Sequence, residues 1–471
     1  MKIGVVSLGC PKNLVDSEVM LGLTEQAGHV ITHDAAEADV LIVNTCAFID
    51  RAKQESIDTI LEMAQHKEGG ACRRLVVTGC LAERYRDELQ EQIPEIDAVL
   101  GTGEVEAIVS AVEGEAPDVR PTPVTLFARH ASGAVVERGA LAARHRGATH
   151  DLPTYLYDAA TPRRLTTPGH YAYVKIAEGC DYNCAFCIIP RLRGPYRSRS
   201  ITSVVEEAKR LADRGVKELL LVSQDTTFYG VDRRERHALA QLLRALNAID
   251  GLHWIRLLYL YPTTITAPTI DAIAECDKVA KYIDLPLQHA SDAVLKRMRR
   301  PGSRRSYEAL LTGLRERIPG VTLRTTLIAG FPGETEADVD ELAGFLETVQ
   351  FDHVGVFTYS EEEGTAAADL PDDVPARTKA ARQRRLMQLQ KTIVSRRLAA
   401  RIGQEVDVLV DGPSPEHDLV VQGRLEGQAP EIDPVVYFTD CDPTDLRPGD
   451  LVRSVIVDTR DYDVVARPLG S

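Results

Sequence analysis

Three cysteines within eight residues, Cys180, Cys184 and Cys187 in EGCDYNCAFCIIP, carry the strongest chemical signal in this chain of 471 residues. Thiolates are soft ligands that suit iron-sulfur clusters or zinc. The spacing C-x3-C-x2-C lets three of them wrap one face of a cluster, leaving one iron open to a small molecule. A structural zinc site closed by a remote ligand such as His170 is the alternative. Zinc usually brings a second C-x2-C knuckle, and the sequence has none.

Cys10, Cys46 and Cys80 are distant in sequence, yet each closely follows a β-rich run: KIGVVSL (2 to 8), ADVLIVNT (38 to 45) and RRLVVTG (73 to 79). Parallel strands end on one edge, so loops far apart in the chain converge there. The contexts LGCPKN, NTCAFI and TGCLAE are turn-like rather than apolar. A second three-thiolate cluster is therefore favoured over three inert core cysteines. Cys72 reads as an exposed bystander, and Cys276 and Cys441 as packing residues.

The elements that position these groups suggest an α/β protein of several domains. Residues 1 to 113 alternate strands with amphipathic segments, the pattern of a parallel sheet covered by helices. Residues 114 to 169 are rich in Pro, Gly, Ala, Arg and His and read as a flexible linker or insertion, with at most two short strands around 123 to 137. Within 170 to 401, strands at 171–177, 216–223, 253–260, 282–287, 322–330 and 353–359 suit a partial barrel of TIM type, (β/α)6, followed by a connecting helix at 376–401 whose basic run is its wet face. Residues 402 to 471 switch to short alternating segments, the signature of a small antiparallel β-barrel.

Composition narrows the function. Lys and Arg total 55 against 70 for Asp and Glu, a net charge of -15 that repels phosphate backbones. Nine cysteines without an export signal favour metal binding or catalysis over a disulfide framework. No apolar run approaches the roughly 20 residues of a membrane span, so a cytoplasmic protein with no membrane partner is expected. GTGEVEA (101 to 107) fits G-x-G-x-x-A but reads better as a tight turn. The basic run of Lys296, Arg297, Arg299, Arg300, Arg304 and Arg305 could guide an anionic target, and an exposed helix face explains it as readily.

EGCDYNCAFCIIP resembles the signature of the radical S-adenosylmethionine enzymes, and LGCPKNLVDSE, NTCAFID and TGCLAERY are similar to the N-terminal domain of the methylthiotransferases. The C-terminal barrel resembles the TRAM domain. Within that family, LLYLYP (257 to 262), LPLQHASDAVLKRMRRPG (285 to 302) and TYSEEEGTAA (358 to 367) look like the branch that modifies an aspartate of small-subunit ribosomal protein twelve. The tRNA-modifying branch has Gln-Met-Asn after its first Cys, where this chain has Pro11, Lys12 and Asn13.

The resemblance implies two 4Fe-4S clusters and S-adenosylmethionine. The open iron on Cys180, Cys184 and Cys187 would deliver one electron to the sulfonium and release a 5'-deoxyadenosyl radical. The cluster on Cys10, Cys46 and Cys80 would hold the sulfur to be methylated and inserted. Phe186, Gln224, Asp225, Gly330 and Glu334 fall where this fold handles the cofactor, although each also suits a turn or cap. The expected partners are the ribosomal protein and an electron donor such as flavodoxin or ferredoxin. A tRNA methylthiotransferase and a non-catalytic electron-transfer protein are the alternatives. Residues 401 to 471 carry 15 acidic residues against six Arg, a balance of -9 that would repel tRNA and attract a basic protein.

Purified without oxygen, the chain is expected to contain about eight irons, from two four-iron centres. Replacing Cys10, Cys46 and Cys80 together should remove about half, as read by iron analysis; unchanged iron, or zinc alone, would refute the two-cluster reading.

Overall fold

The computed structural model describes residues 1–115 and 152–470. Runs of Val, Ile and Leu form β1 (Lys2–Ser7), β2 (Val30–Ile31), β3 (Val40–Thr45), β4 (Arg74–Gly79) and β5 (Ala98–Leu100). They pair in parallel in the order β2-β1-β3-β4-β5. β3 and β4 are buried almost throughout, as strands covered by helices on both faces must be.

The central domain begins with β6 (Tyr171–Lys175) and a short antiparallel ribbon, β7 (Ala177–Glu178) with β8 (Arg197–Ser198), which brackets the Cys180–Cys187 loop. β9 (Glu218–Val222), β10 (Trp254–Leu257), β11 (Tyr282–Asp284), β12 (Thr322–Ala329) and β13 (His353–Thr358) follow. Two parallel sheets, β10-β9-β6 and β11-β12-β13, meet through a bridge between Ile255 and Val279. Six strands thus stand side by side in chain order as a partial barrel. Alternate residues such as Leu219, Leu221, Ile255 and Leu257 pack outward on the helices, while Tyr171, Tyr173, Leu220 and Tyr282 face inward.

β14 (Glu405–Ser414), β15 (His417–Arg424), β16 (Val436–Phe438), β17 (Leu451–Arg460) and β18 (Asp463–Pro468) close a small barrel, antiparallel except at the parallel pair β16–β18. Its loop between β15 and β16 stoppers the N-terminal end of the central barrel. Ala429 is fully buried among the inward tyrosines. Glu431 accepts hydrogen bonds from the Tyr171 and Tyr173 hydroxyls at 2.9 and 3.2 Å, and Asp433 accepts one from Tyr282 at 2.6 Å and pairs with Arg324 at 3.2 Å. Arg424 spans Glu218 at 2.6 Å and Asp411 at 2.8 Å.

Several expectations change. Residues 152–169, expected as flexible linker, are packed: Tyr157 is buried, and Arg163 bridges Glu18 at 2.6 Å and Glu207 at 2.7 Å. The strands expected around 123 to 137 lie outside the described residues. Cys72 is buried rather than exposed, its thiol directed to the Arg74 carbonyl at 3.2 Å. The helix Ala376–Ala399 does not merely wet its basic side, because Lys379 and Arg382 are buried, Lys379 pairing with Asp372 and Arg382 with Glu334 and Glu336.

Arg424→Ala leaves Asp411 with His170 alone and Glu218 with Arg256 alone, so it should cost about 3 kcal/mol and lower the melting temperature. Acid should loosen the same joint. Burial opposes ionisation of Asp433 and Asp411, but His353, Arg324 and Tyr282 for the first, and His170 with Arg424 for the second, hold both carboxyls below the ordinary value. Their stabilisation is full above about pH 4 and is lost as pH falls through the lower folded values. Melting from neutral to acidic pH should show this loss, and Asp433→Asn should flatten it.

Candidate active site

Cys10, Cys46 and Cys80 stand at the C-terminal ends of three adjacent parallel strands, β1, β3 and β4. Cys10 caps the helix Pro11–Gln26, and Cys80 opens the helix Cys80–Arg84. Glycine makes the approach possible. Gly9 has φ +90, and a Cβ there would lie 2.7 Å from Cys46 Cβ; Gly79 has φ +94, and a Cβ there would strike Asn44 and the Thr45 carbonyl. Fully buried Asn13 ties two of the loops, donating to the Leu8 carbonyl at 3.0 Å and the Thr45 carbonyl at 2.8 Å. Ser56 clamps Cys46, donating to its carbonyl at 2.9 Å and accepting from its amide at 3.0 Å.

The three thiols feel one another. Burial chiefly raises the Cys46 thiol, with Cys10 next. Burial pushes Cys80 up to about 12; Arg193 opposes the rise, and Cys10 and Cys46 add to it.

The second set lies in the loop after β7. Burial pushes Cys180 up to about 12, with Cys184 adding, and raises Cys187 for the same two reasons. Arg300 directs a guanidinium nitrogen at Cys184 Sγ, 3.7 Å away, and stacks 4.3 Å over the Tyr261 ring. Tyr182, inside the loop, stacks on the other side of the site against Tyr261 with ring centroids 4.1 Å apart. Thiols buried in this way stay protonated until a metal displaces the proton. Six thiols in two sets fit clusters, in which each corner iron takes one thiolate. His170 is committed elsewhere, to Asp411 at 2.8 Å.

Buried ion pairs join the two sets. Lys175, at the end of β6, lies between Asp16 of the N-terminal helix and Glu178, the latter at 2.5 Å. Arg193, six residues beyond Cys187, pairs with Asp16 at 2.6 Å and Glu178 at 3.3 Å. Its other nitrogen reaches Asn13 and Cys80 Sγ, the latter at 3.5 Å. None of these four charged side chains is more than 5% exposed. Burial works against the Glu178 carboxylate, yet Lys175 and Arg193 hold it well below the usual carboxylate range. A second clamp sets Glu362, after β13, against Lys53 at 3.2 Å and Arg84.

The remaining expected residues lie around the Cys180–Cys187 loop in different ways. Phe186 packs with Ala185, Val294, Met298, Phe331 and Tyr359. Gln224 donates to Glu178 and keeps its buried Oε1 without a partner. Asp225 accepts from the Thr227 amide and the Tyr182 hydroxyl, both at 2.8 Å, so its acceptor capacity is spent fixing the cysteine loop. Glu334 accepts from the Gly330 amide and from the Phe331 amide at 3.2 Å, which holds the turn after β12. The GTGEVEA segment is a turn whose amides are taken: Glu104 accepts from Gly101 at 2.6 Å and Glu83 from Thr102 at 2.8 Å. The basic run is not wholly an exposed face, since Arg300 turns inward to Cys184. Sequence reasoning met Lys12 and Asn13 only as marks of the branch and Arg300 only as part of a basic run, and it missed Arg193.

Known proteins match this arrangement throughout. Residues 2–101 match the family described as uncharacterized protein family UPF0004, residues 174–346 the radical SAM superfamily and residues 402–469 the TRAM domain. The ribosomal protein uS12 methylthiotransferase RimO of Koribacter versatilis is 50% identical over 99% of this chain and 96% of its own length. The protein of the same name from Solibacter usitatus is 48% identical over 100% of this chain and 95% of its own. The chain belongs to the RimO family. It is accordingly a radical SAM transferase whose cofactors are S-adenosylmethionine and 4Fe-4S clusters. Its fold is similar to the radical S-adenosylmethionine methyltransferase TsrM of Kitasatospora setae, solved with cobalamin and a 4Fe-4S cluster (TM-score 0.54, 17% identity, 76% of this chain and 71% of that one).

Arg193→Met should leave Asp16 and Glu178 sharing Lys175 alone, at a cost of about 3 to 5 kcal/mol seen as an earlier thermal transition. Arg193→Lys should not restore it, because a point charge cannot fork between two carboxylates and Asn13 as a guanidinium does.

Proposed function

We propose that Cys10, Cys46 and Cys80 hold one 4Fe-4S cluster, that Cys180, Cys184 and Cys187 hold the other, and that between them the chain places a methylthio group on the β-carbon of an aspartate of ribosomal protein uS12. The observation that supports this reading is the junction at Arg193: the segment that follows Cys187 packs on the helix of Cys80 and brings two three-thiol sets together. Bound there, the clusters and S-adenosylmethionine supply one-electron chemistry for an unactivated C–H bond, which no side-chain base near neutral pH can break.

The chain's own residues do the rest. Arg193 and Arg300 each set a delocalised positive charge against one thiol set, which favours the anionic thiolates. Asp225 and Tyr182 fix the cysteine loop, and Glu334 fixes the turn facing it. The loop from the C-terminal barrel closes the far end of the central barrel to water. Four of the 15 acidic residues there, Asp411, Glu426, Glu431 and Asp433, are engaged with the central domain. Asp440, Asp442, Asp445 and Asp450 remain exposed on one stretch, a surface suited to a basic ribosomal protein and unsuited to tRNA. The reductant is an electron carrier of the flavodoxin or ferredoxin class. Among the described residues, no helix is long and apolar enough to cross a membrane.

Mass spectrometry of uS12 from cells with and without this chain should show one peptide heavier by a methylthio group in place of hydrogen. Digested tRNA should be unchanged; a methylthio nucleoside that depends on the chain would favour the tRNA reading. Reversing Asp440, Asp442 and Asp445 to Lys should raise KM for uS12 about tenfold and blunt its salt dependence.

A further inference from the structure

Lys12 differs from Lys175 and Arg193 at the junction of the two domains. It is 8% exposed, lies in the first turn of the helix that Cys10 caps, and projects into the C-terminal mouth of the central barrel. Lys175 and Arg193 beside it each face two carboxylates. Lys12 faces none within ion-pair distance among the described residues. Its Nζ has one hydrogen-bond acceptor, the Ser223 carbonyl just past β9, at 3.5 Å. It rests 3.4 Å over the ring of Tyr259, just past β10.

That ring is held in place at a conformational cost. Tyr259 has φ +60, a left-handed backbone that residues with a Cβ rarely adopt, and its amide donates to Asp284 at 2.9 Å. An aromatic face attracts a cation but supplies no counter-charge. A buried charge is stable when it is paired, and at the barrel mouth the partner can be an anion that arrives from outside.

We infer that Lys12 receives the side-chain carboxylate of the substrate aspartate and is thereby a specificity-determining residue. The inference rests on the uS12 reading and deepens it. The carbon to be modified carries that carboxylate. An ammonium two residues from Cys10, over the barrel mouth, would anchor the carboxylate where the N-terminal thiol set and the cofactor end of the barrel meet. The same chemistry would also suit the carboxylate of the methionyl part of S-adenosylmethionine, and the test separates the two.

The test uses the full chain with its clusters, a uS12 peptide carrying the target aspartate, the same peptide with asparagine there, and S-adenosylhomocysteine as the cofactor probe. Equilibrium binding should show wild-type chain preferring the aspartate peptide about tenfold or more, as a charge-assisted contact implies. In Lys12→Met the preference should fall close to one, while Lys12→Arg should keep much of it. S-adenosylhomocysteine should bind Lys12→Met as it binds wild type. Equal wild-type affinity for the two peptides overturns the inference even if Lys12→Met fails to fold. Weakened S-adenosylhomocysteine binding with the peptide preference intact overturns it too, and assigns the ammonium to the cofactor. A wild-type chain that modifies the aspartate peptide yet shows no preference refutes the role of Lys12 alone; one that neither binds nor modifies it removes the uS12 reading and this inference together.

Discussion

Two cations and two carboxylates buried together, Lys175 and Arg193 with Asp16 and Glu178, set the relation between the domains that carry the six thiols. Removing such groups from water is expensive, and their mutual attraction offsets it only when every member is paired. Here each cation meets both anions. The arrangement contributes little net stability over an apolar seam of equal volume, but it is directional. Oily surfaces slide over one another at small cost, whereas a misplaced guanidinium in a dry interface leaves charges bare. For chemistry in which an atom passes between two centres, displacements of about an ångström matter, and a polar seam fixes position where an apolar one would fix only proximity.

The other end of the central barrel shows the same logic used for closure. A partial barrel leaves inward tyrosines and charged groups at its N-terminal mouth exposed to solvent. The loop between β15 and β16 meets them with Glu431, Asp433 and the backbone of Glu426 and Gly427, the last two accepting from Arg256 at 2.6 Å and from His353 at 2.8 Å. The C-terminal barrel is thus partly an internal component of the catalytic domain. Its acidic residues face two ways, Asp433 and Asp411 inward to Arg324 and Arg424 and others outward to solvent. Net charge alone does not divide them.

The sequence revealed the cysteine sites better than their surroundings. A cysteine just past a β-rich run must lie at a strand end, and in a parallel sheet Cys10, Cys46 and Cys80 then share an edge whatever the strand order. The six strands of the central barrel were legible because buried parallel strands read as continuous apolar runs. Contacts between domains left no such trace. Arg300 read as part of a basic run, and Arg163 as part of a linker, because Cys184 and Glu18, which they meet, lie more than a hundred residues away. Periodicity reports which face of an element is dry, not which distant partner makes it so.

The mouth above the cysteines includes polar groups that the chain itself leaves incomplete. Elsewhere at the junction, Asn13, Asn44 and Ser56 spend their polar atoms on the loops they brace. Around Cys184, Arg300 Nε and the Tyr261 hydroxyl are buried without partners, as is Gln224 Oε1 close by. A folded chain tolerates such groups when something other than the chain completes them. These groups beside one thiol set, with the barely partnered ammonium of Lys12 beside the other, can offer charge and hydrogen bonds to what enters. The paired residues supply the rigidity, and the unpaired ones supply the recognition.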